Sequence, residues 1–254
     1  MTRRVLAPVL LLAAVLGAWQ LYVDSGAVDA LILPSPANVA SALFNDRALL
    51  WSALGPTALE VGAGIGLSVA IGLVLAVSIH LSPALRRAVY PLVVASQTVP
   101  IVVVAPLLIF WLGFGLAPKL AIVALICFFP IVVNTLDGLA DVDPGLLKVM
   151  RTLGATRWQT LRRVELPSAL PGAFSGVKIS VAVAVIAAVL AEQAGAEKGL
   201  GELLVLSNAE LDSARSYAAV VVLSIFAILL FSSLALLERR LLPWANRTQR
   251  GGRP

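Results

Sequence analysis

The chain contains apolar runs long enough to cross a lipid bilayer. A hydrocarbon core of about 30 Å requires a helix of about 20 apolar residues. Six runs approach or reach this length, at approximately 5–23, 57–79, 89–112, 120–136, 172–191 and 217–237. With 59% hydrophobic residues, 13% charged residues and a mean hydropathy of +0.96, the composition differs from that of soluble domains. The sequence predicts an all-α, polytopic membrane protein with about six transmembrane helices.

We expect a single membrane domain over residues 1–254. It comprises a first span at 1–23, an external loop at 24–56, and a five-span core at 57–242 that includes a cytoplasmic loop at 138–171. The two arginines before the first run also fit a secretory signal peptide. Its length, and Trp19 and Tyr22 near its end, favour a retained span. Cleavage would leave five spans in the same orientation.

The basic residues predict the orientation, because short cytoplasmic loops carry an excess of Lys and Arg. Alternate loops differ sharply in this respect. The predicted cytoplasmic set is Arg3, Arg4, Arg86, Arg87, Lys148, Arg151, Arg157, Arg162, Arg163, Arg239, Arg240, Arg247, Arg250 and Arg253, and the opposite set is Arg47, Lys119, Lys198 and Arg215. Both termini are therefore predicted to be cytoplasmic, in the plasma membrane of a prokaryote.

Two segments carry further local signals. The sequence Leu33-Pro34-Ser35-Pro36 predicts a short helix capped by Ser35 and running to about Phe44 along the outer membrane surface. An ordinary structured loop is the alternative. The second span has small residues at every fourth position, in the rows Ala58, Gly62, Gly66, Ala70 and Gly64, Ser68, Gly72, Ala76. Such rows indicate close helix packing, within the chain or with another copy.

The third apolar run is rich in proline. Pro100 and Pro106 lie six residues apart, and Gln97 and Thr98 are the strongly polar side chains beside them. Proline removes a backbone hydrogen bond and kinks a helix. We interpret this segment as lining a pathway, and kinks that serve packing alone are the alternative.

The residues predict neither catalysis nor a cofactor. Glu60, Lys178 and Glu192 lie near predicted span ends, whereas ion-coupled carriers place ionisable groups at membrane depth. The chain lacks the phosphate-binding sequence GxxxxGK[ST] and any His and Cys cluster typical of a metal site. Cys127, the only cysteine, lies inside an apolar run. We therefore expect transport to be driven by another subunit.

The cytoplasmic loop is polar and basic. Asp143 and Pro144 predict the start of a short helix, and Gly154 is placed to end it in a left-handed conformation. Thr156 is placed to cap a second helix to Glu165, which Pro167 should end. We interpret the resulting helical hairpin as a docking surface for another protein. Arginines that only fix the orientation are the alternative, and the short tethers argue against DNA binding.

These residues resemble the membrane permease subunits of binding-protein-dependent ATP-binding cassette importers, over nearly the whole chain. The signature of that family is Glu-Ala-Ala, three residues, Gly, nine residues, then an aliphatic residue, any residue, Leu and Pro. Gly154 and Val164 to Pro167 match this spacing, whereas Lys148, Val149 and Met150 replace Glu-Ala-Ala. The resemblance implies the type I importer fold. It assigns contact with the ATPase to Lys148, Arg151, Gly154, Arg157, Arg162, Val164, Leu166 and Pro167.

Further matches resemble the nitrate, sulfonate and taurine branch, which includes permeases for thiamine pyrimidine precursors. They are the Leu33 to Pro36 segment, residues 100–115, Phe129-Pro130, and Gly199-Leu200-Gly201. The resemblance implies a homodimer, cytoplasmic ATPase subunits, an extracytoplasmic solute-binding protein and alternating access. Gly199 to Gly201 would form an external gate or receptor contact, with an ordinary turn as the alternative. The expected partners include lipid but no nucleic acid, and the solute remains unspecified.

Two other classes fit the sequence less well. An ATP-independent secondary carrier would need internal repeats and coupling groups at the midplane of the membrane, and it would not need the cytoplasmic hairpin. An integral membrane enzyme would need a polar constellation within or beside the spans.

Overall fold

The protein is described by a computed structural model that covers residues 2–244, with side chains from residue 6. The elements are α1 (Thr2–Asp24), α2 (Pro36–Asn45), α3 (Arg47–Leu81), α4 (Pro83–Ala95), a 3₁₀ turn (Ser96–Thr98), α5 (Ile101–Leu112), α6 (Leu116–Ala140), α7 (Pro144–Thr152), α8 (Arg157–Thr160), a π turn (Leu161–Glu165), α9 (Leu166–Gln193), α10 (Leu200–Ala209) and α11 (Ser213–Leu241). The predicted all-α fold is confirmed. The predicted cytoplasmic residues Arg3, Arg4, Arg247, Arg250 and Arg253 lie outside the described side chains.

Five helices are long and apolar enough to cross a membrane, and the α4–α5 pair gives a sixth crossing if it counts as one span. The five helices that qualify individually are α1, α3, α6, the continuous helix from α8 to α9, and α11. The prediction of about six spans is therefore confirmed. The kink predicted in the proline-rich third run is present as a bend of 104° between α4 and α5.

The predicted external loop at 24–56 is partly helical. The short helix expected after Ser35 is present as α2, and the Ser35 hydroxyl accepts a hydrogen bond from the Asn38 amide at 3.2 Å. The second span begins ten residues earlier than predicted, at Arg47, with Pro56 inside the helix. A long helix supported by neighbouring helices tolerates such a proline.

The centre of the fold is formed by α3, α6 and α9, which pack along one another. The row Gly64, Ser68, Gly72 and Ala76 is buried. A side chain at Gly64 would overlap Val123 on α6, and one at Gly72 would lie 2.9 Å from Ile131. The backbones of α3 and α6 therefore approach closely only because these positions are small. Gly62 and Gly66, in the other predicted row, face open space.

The first span contacts the rest of the chain mainly at its outer end. The rings of Trp19 and Tyr217 lie 6.0 Å apart, and the side-chain oxygen of Gln20 accepts a hydrogen bond from the Ala37 amide. Elsewhere α1 exposes apolar side chains such as Leu11 and Leu12. Lipid or a further protein surface must cover them in the membrane.

Candidate functional site

The predicted docking loop begins with the short helix α7. The Asp143 carboxylate caps it by accepting a hydrogen bond from the Gly145 amide at 2.7 Å. Gly154 follows the helix with a φ of +68°, in the left-handed region that favours glycine. Thr156 then caps α8, and Gln159 completes a reciprocal capping box. The predicted starts of both helices and the turn between them are thus present.

Helix α7 projects from the membrane domain, since none of its residues is buried within the described chain. Its apolar side chains Leu146 and Val149 are 48% and 55% exposed, and Leu153 just beyond it is 74% exposed. Lys148 and Arg151 are exposed as well. Exposed apolar residues flanked by cations are typical of a surface that binds another protein.

The base of this loop is fixed to α3. His80 Nε2 lies 3.1 Å from the Glu165 carboxylate, and Arg157 donates a hydrogen bond to the Leu81 carbonyl at 3.2 Å. Leu161 is fully buried in a small apolar cluster with Leu139 and Ala169. These contacts join α8 and the π turn to the end of α3. The contact between Arg157 and α3 was missed from the sequence, because the two residues are 76 positions apart.

The prediction that Pro167 ends the second helix is wrong. The helix continues from Arg157 to Gln193, so the loop runs into the fifth span without a break. A π turn over Leu161–Glu165 precedes the proline, and the Leu166 amide donates to the Leu161 carbonyl. Local π geometry of this kind accommodates a proline, which has no N–H to donate. The second arm of the hairpin is thus the extended end of a membrane helix.

The predicted pathway segment is the junction between α4 and α5. Ser96 and Thr98 donate hydrogen bonds to the Val93 and Ala95 carbonyls, each at 2.7 Å, and Pro100 precedes the first residue of α5. A cavity of about 490 Å³ lies there, lined by Gln97 and Pro100 together with Leu125 of α6. Thr98 and Pro106 lie outside its lining. Broken membrane helices are tolerated where the freed backbone lines a cavity or is covered by protein.

The predicted external contact, Gly199 to Gly201, is buried in the described structure. Gly201 N–H donates to the Glu192 carboxylate at 2.5 Å, and the Leu200 amide donates to the Thr57 hydroxyl at 2.9 Å. A side chain at Gly199, whose φ is +146°, would overlap the Glu192 carboxylate. The close approach of Glu192 explains why residues 199 and 201 are glycines. The three residues consequently offer no exposed surface to a receptor in this conformation.

A buried polar cluster beside that turn was missed from the sequence. Lys119 Nζ on α6 lies 2.6 Å from Glu60 on α3, and the Glu192 carboxylate on α9 accepts a hydrogen bond from the Thr57 hydroxyl at 2.6 Å. Glu60 is 2% exposed and Glu192 is 1% exposed. Lys119 is the fourth residue of α6 and Glu192 is the penultimate residue of α9, so the cluster lies at the ends of these two helices. Glu60 reaches it from the interior of α3 because that helix begins earlier, at Arg47.

This fold and projecting loop define a multi-pass helical membrane protein. Residues 68–243 match the family described as the binding-protein-dependent transport system inner membrane component. Because the match covers more than half of the chain, the protein belongs to this family of ATP-binding cassette importer permeases.

Curated relatives agree with this assignment. The formylaminopyrimidine transport permease of Halalkalibacterium halodurans is 33% identical, over 85% of this chain and 87% of its own length. The riboflavin transport permease of Chloroflexus aurantiacus is 36% identical, with coverages of 89% and 85%. The taurine transport permease of Escherichia coli is 30% identical, with coverages of 98% and 93%.

Solved structures share the fold. An inward-facing structure of the MetNI methionine transporter aligns with a TM-score of 0.69 and 21% identity. The alignment covers 77% of this chain and 97% of that chain. The type I importer permease fold implied by the resemblance is confirmed.

Proposed function

We propose that this protein is the membrane subunit of an ATP-driven importer that depends on a separate ATPase and a solute-binding protein. Two copies form the pathway, and both termini are cytoplasmic. ATP binding and hydrolysis by the partner move α7, and the membrane helices alternate between inward-open and outward-open states. The family membership supports this scheme, and an ATP-independent carrier is the rival.

The observation that carries the proposal is the exposure of α7. A helix that buries none of its residues against its own chain gains little stability there, and it leaves Leu146, Val149 and Leu153 in water. A groove on an ATPase would cover this apolar side, with Lys148, Arg151 and Arg162 at its edge. The contacts of His80 and Arg157 then pass the movement to α3.

A second copy of the chain is supported by the surface of one protomer. The cavity at the broken span is lined by α6 and the α4–α5 junction, and we assign the pathway to the space between this segment and a second copy. Gln97, Thr98, Pro100 and Pro106 belong to the segment that would face it. The apolar sides of α1 are also left for lipid or the second copy to cover.

The solute is proposed to be a small nutrient. The relatives are named for formylaminopyrimidine, riboflavin and taurine, which share little chemistry. An alkanesulfonate, taurine, nitrate or a thiamine pyrimidine precursor fits this branch. Glu192 holds Gly201 through a hydrogen bond. The buried segment from Gly199 to Gly201 would thereby support the outer end of the pathway.

The proposal predicts that charge reversal on the docking surface separates ATP hydrolysis from transport. Arg151 and Arg162 are exposed, so R151E/R162E should insert and fold normally while weakening ATPase binding. Charges at the edge of an interface mainly set the association rate and its salt dependence, and placing like charges opposite one another opposes binding. Co-purification of the tagged ATPase, together with transport and ATPase activity in proteoliposomes, measures this effect.

The matched control is R86E/R87E, which reverses two exposed arginines on α4, outside the loop. It should retain the ATPase as wild type does. Normal co-purification and normal solute-stimulated turnover of R151E/R162E would refute the docking role of α7.

A further inference from the structure

A cavity of about 860 Å³ lies where α9, α11 and the docking loop meet, at the ends that the proposed orientation places toward the cytoplasm. Lys178 and Glu238, which form an ion pair of 2.8 Å, belong to its lining. Phe231 supplies an apolar wall, and the exposed Trp244 lies where α11 ends. The cavity lies apart from the α4–α5 junction and from the cluster around Glu192.

The charges in this cavity do not balance. Arg163, Lys178 and Arg239 contribute three cations, and Glu238 is the one acidic residue of the lining. Glu238 is already paired with Lys178. Arg163 and Arg239 therefore have no ion-pair partner among the residues that the structure describes. This excess of positive charge favours an anionic ligand.

Along the cavity, charged groups are followed by an apolar wall, which matches a molecule with a charged headgroup and apolar chains. On α11, Phe231 precedes Glu238 by seven residues, about 10 Å along the helix and toward the bilayer centre. Two guanidinium groups thus lie at the membrane surface, and an aromatic wall follows at greater depth. Guanidinium groups bind phosphate through paired hydrogen bonds. Basic pockets between membrane helices on the cytoplasmic side are typical sites for anionic headgroups.

We propose that Arg163 and Arg239 bind the phosphate of an anionic phospholipid, whose acyl chains follow the wall formed by Phe231. The assignment to the cytoplasmic leaflet rests on the proposed orientation. A lipid held between α9 and α11 would adjoin Val164 and Pro167 at the base of the docking loop. Lipid composition would thereby influence that loop.

Native mass spectrometry of the purified full chain tests the proposal, with dioleoyl phosphatidylglycerol and dioleoyl phosphatidylcholine as probes. Wild type should retain phosphatidylglycerol in preference to phosphatidylcholine. From the usual surface attraction per basic residue, R163Q/R239Q should bind phosphatidylglycerol about 30-fold more weakly. The charge-retaining variant R163K/R239K should keep a weaker preference for phosphatidylglycerol, because lysine retains the charge but not the paired hydrogen bonds of the guanidinium group. The control R86Q/R87Q removes two exposed arginines outside the cavity and should match wild type.

Four results would overturn the proposal: equal binding of the two lipids, undiminished binding by R163Q/R239Q, an equal loss in R86Q/R87Q, or displacement of the lipid by inorganic phosphate. Equal binding would show that the cavity does not select a charged headgroup, and undiminished binding by R163Q/R239Q would place the lipid on another surface. ATP-driven transport is measured separately. Its failure would refute the proposed function without altering the lipid result.

Discussion

At the scale of single residues, the buried pair of Lys119 and Glu60 joins α6 to α3, and Glu192 joins α9 to the first turn of α10. Removing one partner of a buried ion pair leaves an uncompensated charge, whereas replacing both groups by apolar ones is often tolerated. The pair is therefore a sensitive point of the fold rather than a large source of stability.

Lys119→Met should destabilise the protein by about 3–5 kcal/mol, because Glu60 would remain buried without its cation. The double variant E60L/K119M should recover much of this loss. Thermal unfolding of the purified protein in detergent measures both. Similar melting temperatures for wild type and Lys119→Met would show that the ion pair is not formed in the membrane.

The sequence was informative at this scale where chemistry is local. Asp143, Gly154 and Thr156 were predicted correctly because a cap or a left-handed turn depends on neighbouring residues only. The Glu60 and Lys119 pair was not predicted, because 59 positions separate the partners. Opposite charges in the second apolar run and just before the fourth are a signal, but they do not show which helices pack together.

At the scale of helices, the packing of α3 on α6 depends on one row of small residues. Gly64, Ser68 and Gly72 face α6, whereas Gly62 and Gly66 face outward. Both rows look alike in the sequence. Only the side of α3 that α6 occupies distinguishes them, and that is a property of the tertiary fold.

Gly64→Leu and Gly66→Leu form a matched pair on this helix. A side chain at Gly64 overlaps Val123, so Gly64→Leu should cost at least about 1–3 kcal/mol through overpacking. Gly66→Leu meets open space and should leave stability nearly unchanged. Melting temperatures and the yield of monodisperse protein compare the two. Equal losses would contradict the assignment of the buried row.

The boundaries of the helices were less predictable than their existence. Apolar length reveals a span, but it does not show that α3 continues ten residues beyond its apolar part or that α9 continues into the loop. The 104° bend between α4 and α5 was predicted only as a kink. A proline predicts where a backbone hydrogen bond is lost. The angle of the bend depends on packing against the surrounding helices.

At the scale of the whole molecule, orientation in the membrane determines which surfaces meet which partners. The single native cysteine, Cys127, is buried, so added cysteines can be labelled in the natural background. A membrane-impermeant maleimide should label Lys198→Cys in spheroplasts and Val149→Cys only in inverted vesicles. The reverse result would place α7 outside and remove its proposed contact with a cytoplasmic ATPase.

Family and fold followed from the sequence more completely than any individual site did. Gly154, Leu166 and Pro167 fix the spacing of the loop signature, and matched relatives and structures confirm the family. The departure at Lys148, Val149 and Met150 leaves α7 helical and exposed. Which solute crosses cannot be read from these residues, because relatives of similar identity carry names for unlike solutes.

Transport into sealed vesicles measures whether ATP hydrolysis by a partner ATPase drives solute uptake through this protein. The permease is reconstituted alone, or with its ATPase and solute-binding protein, and uptake of labelled taurine and formylaminopyrimidine is followed with and without ATP. We predict uphill uptake of a solute only by the complete complex with ATP, and loss of this uptake in R151E/R162E. Uphill uptake by the permease alone, driven by an ion gradient, would show that the protein is an ATP-independent carrier.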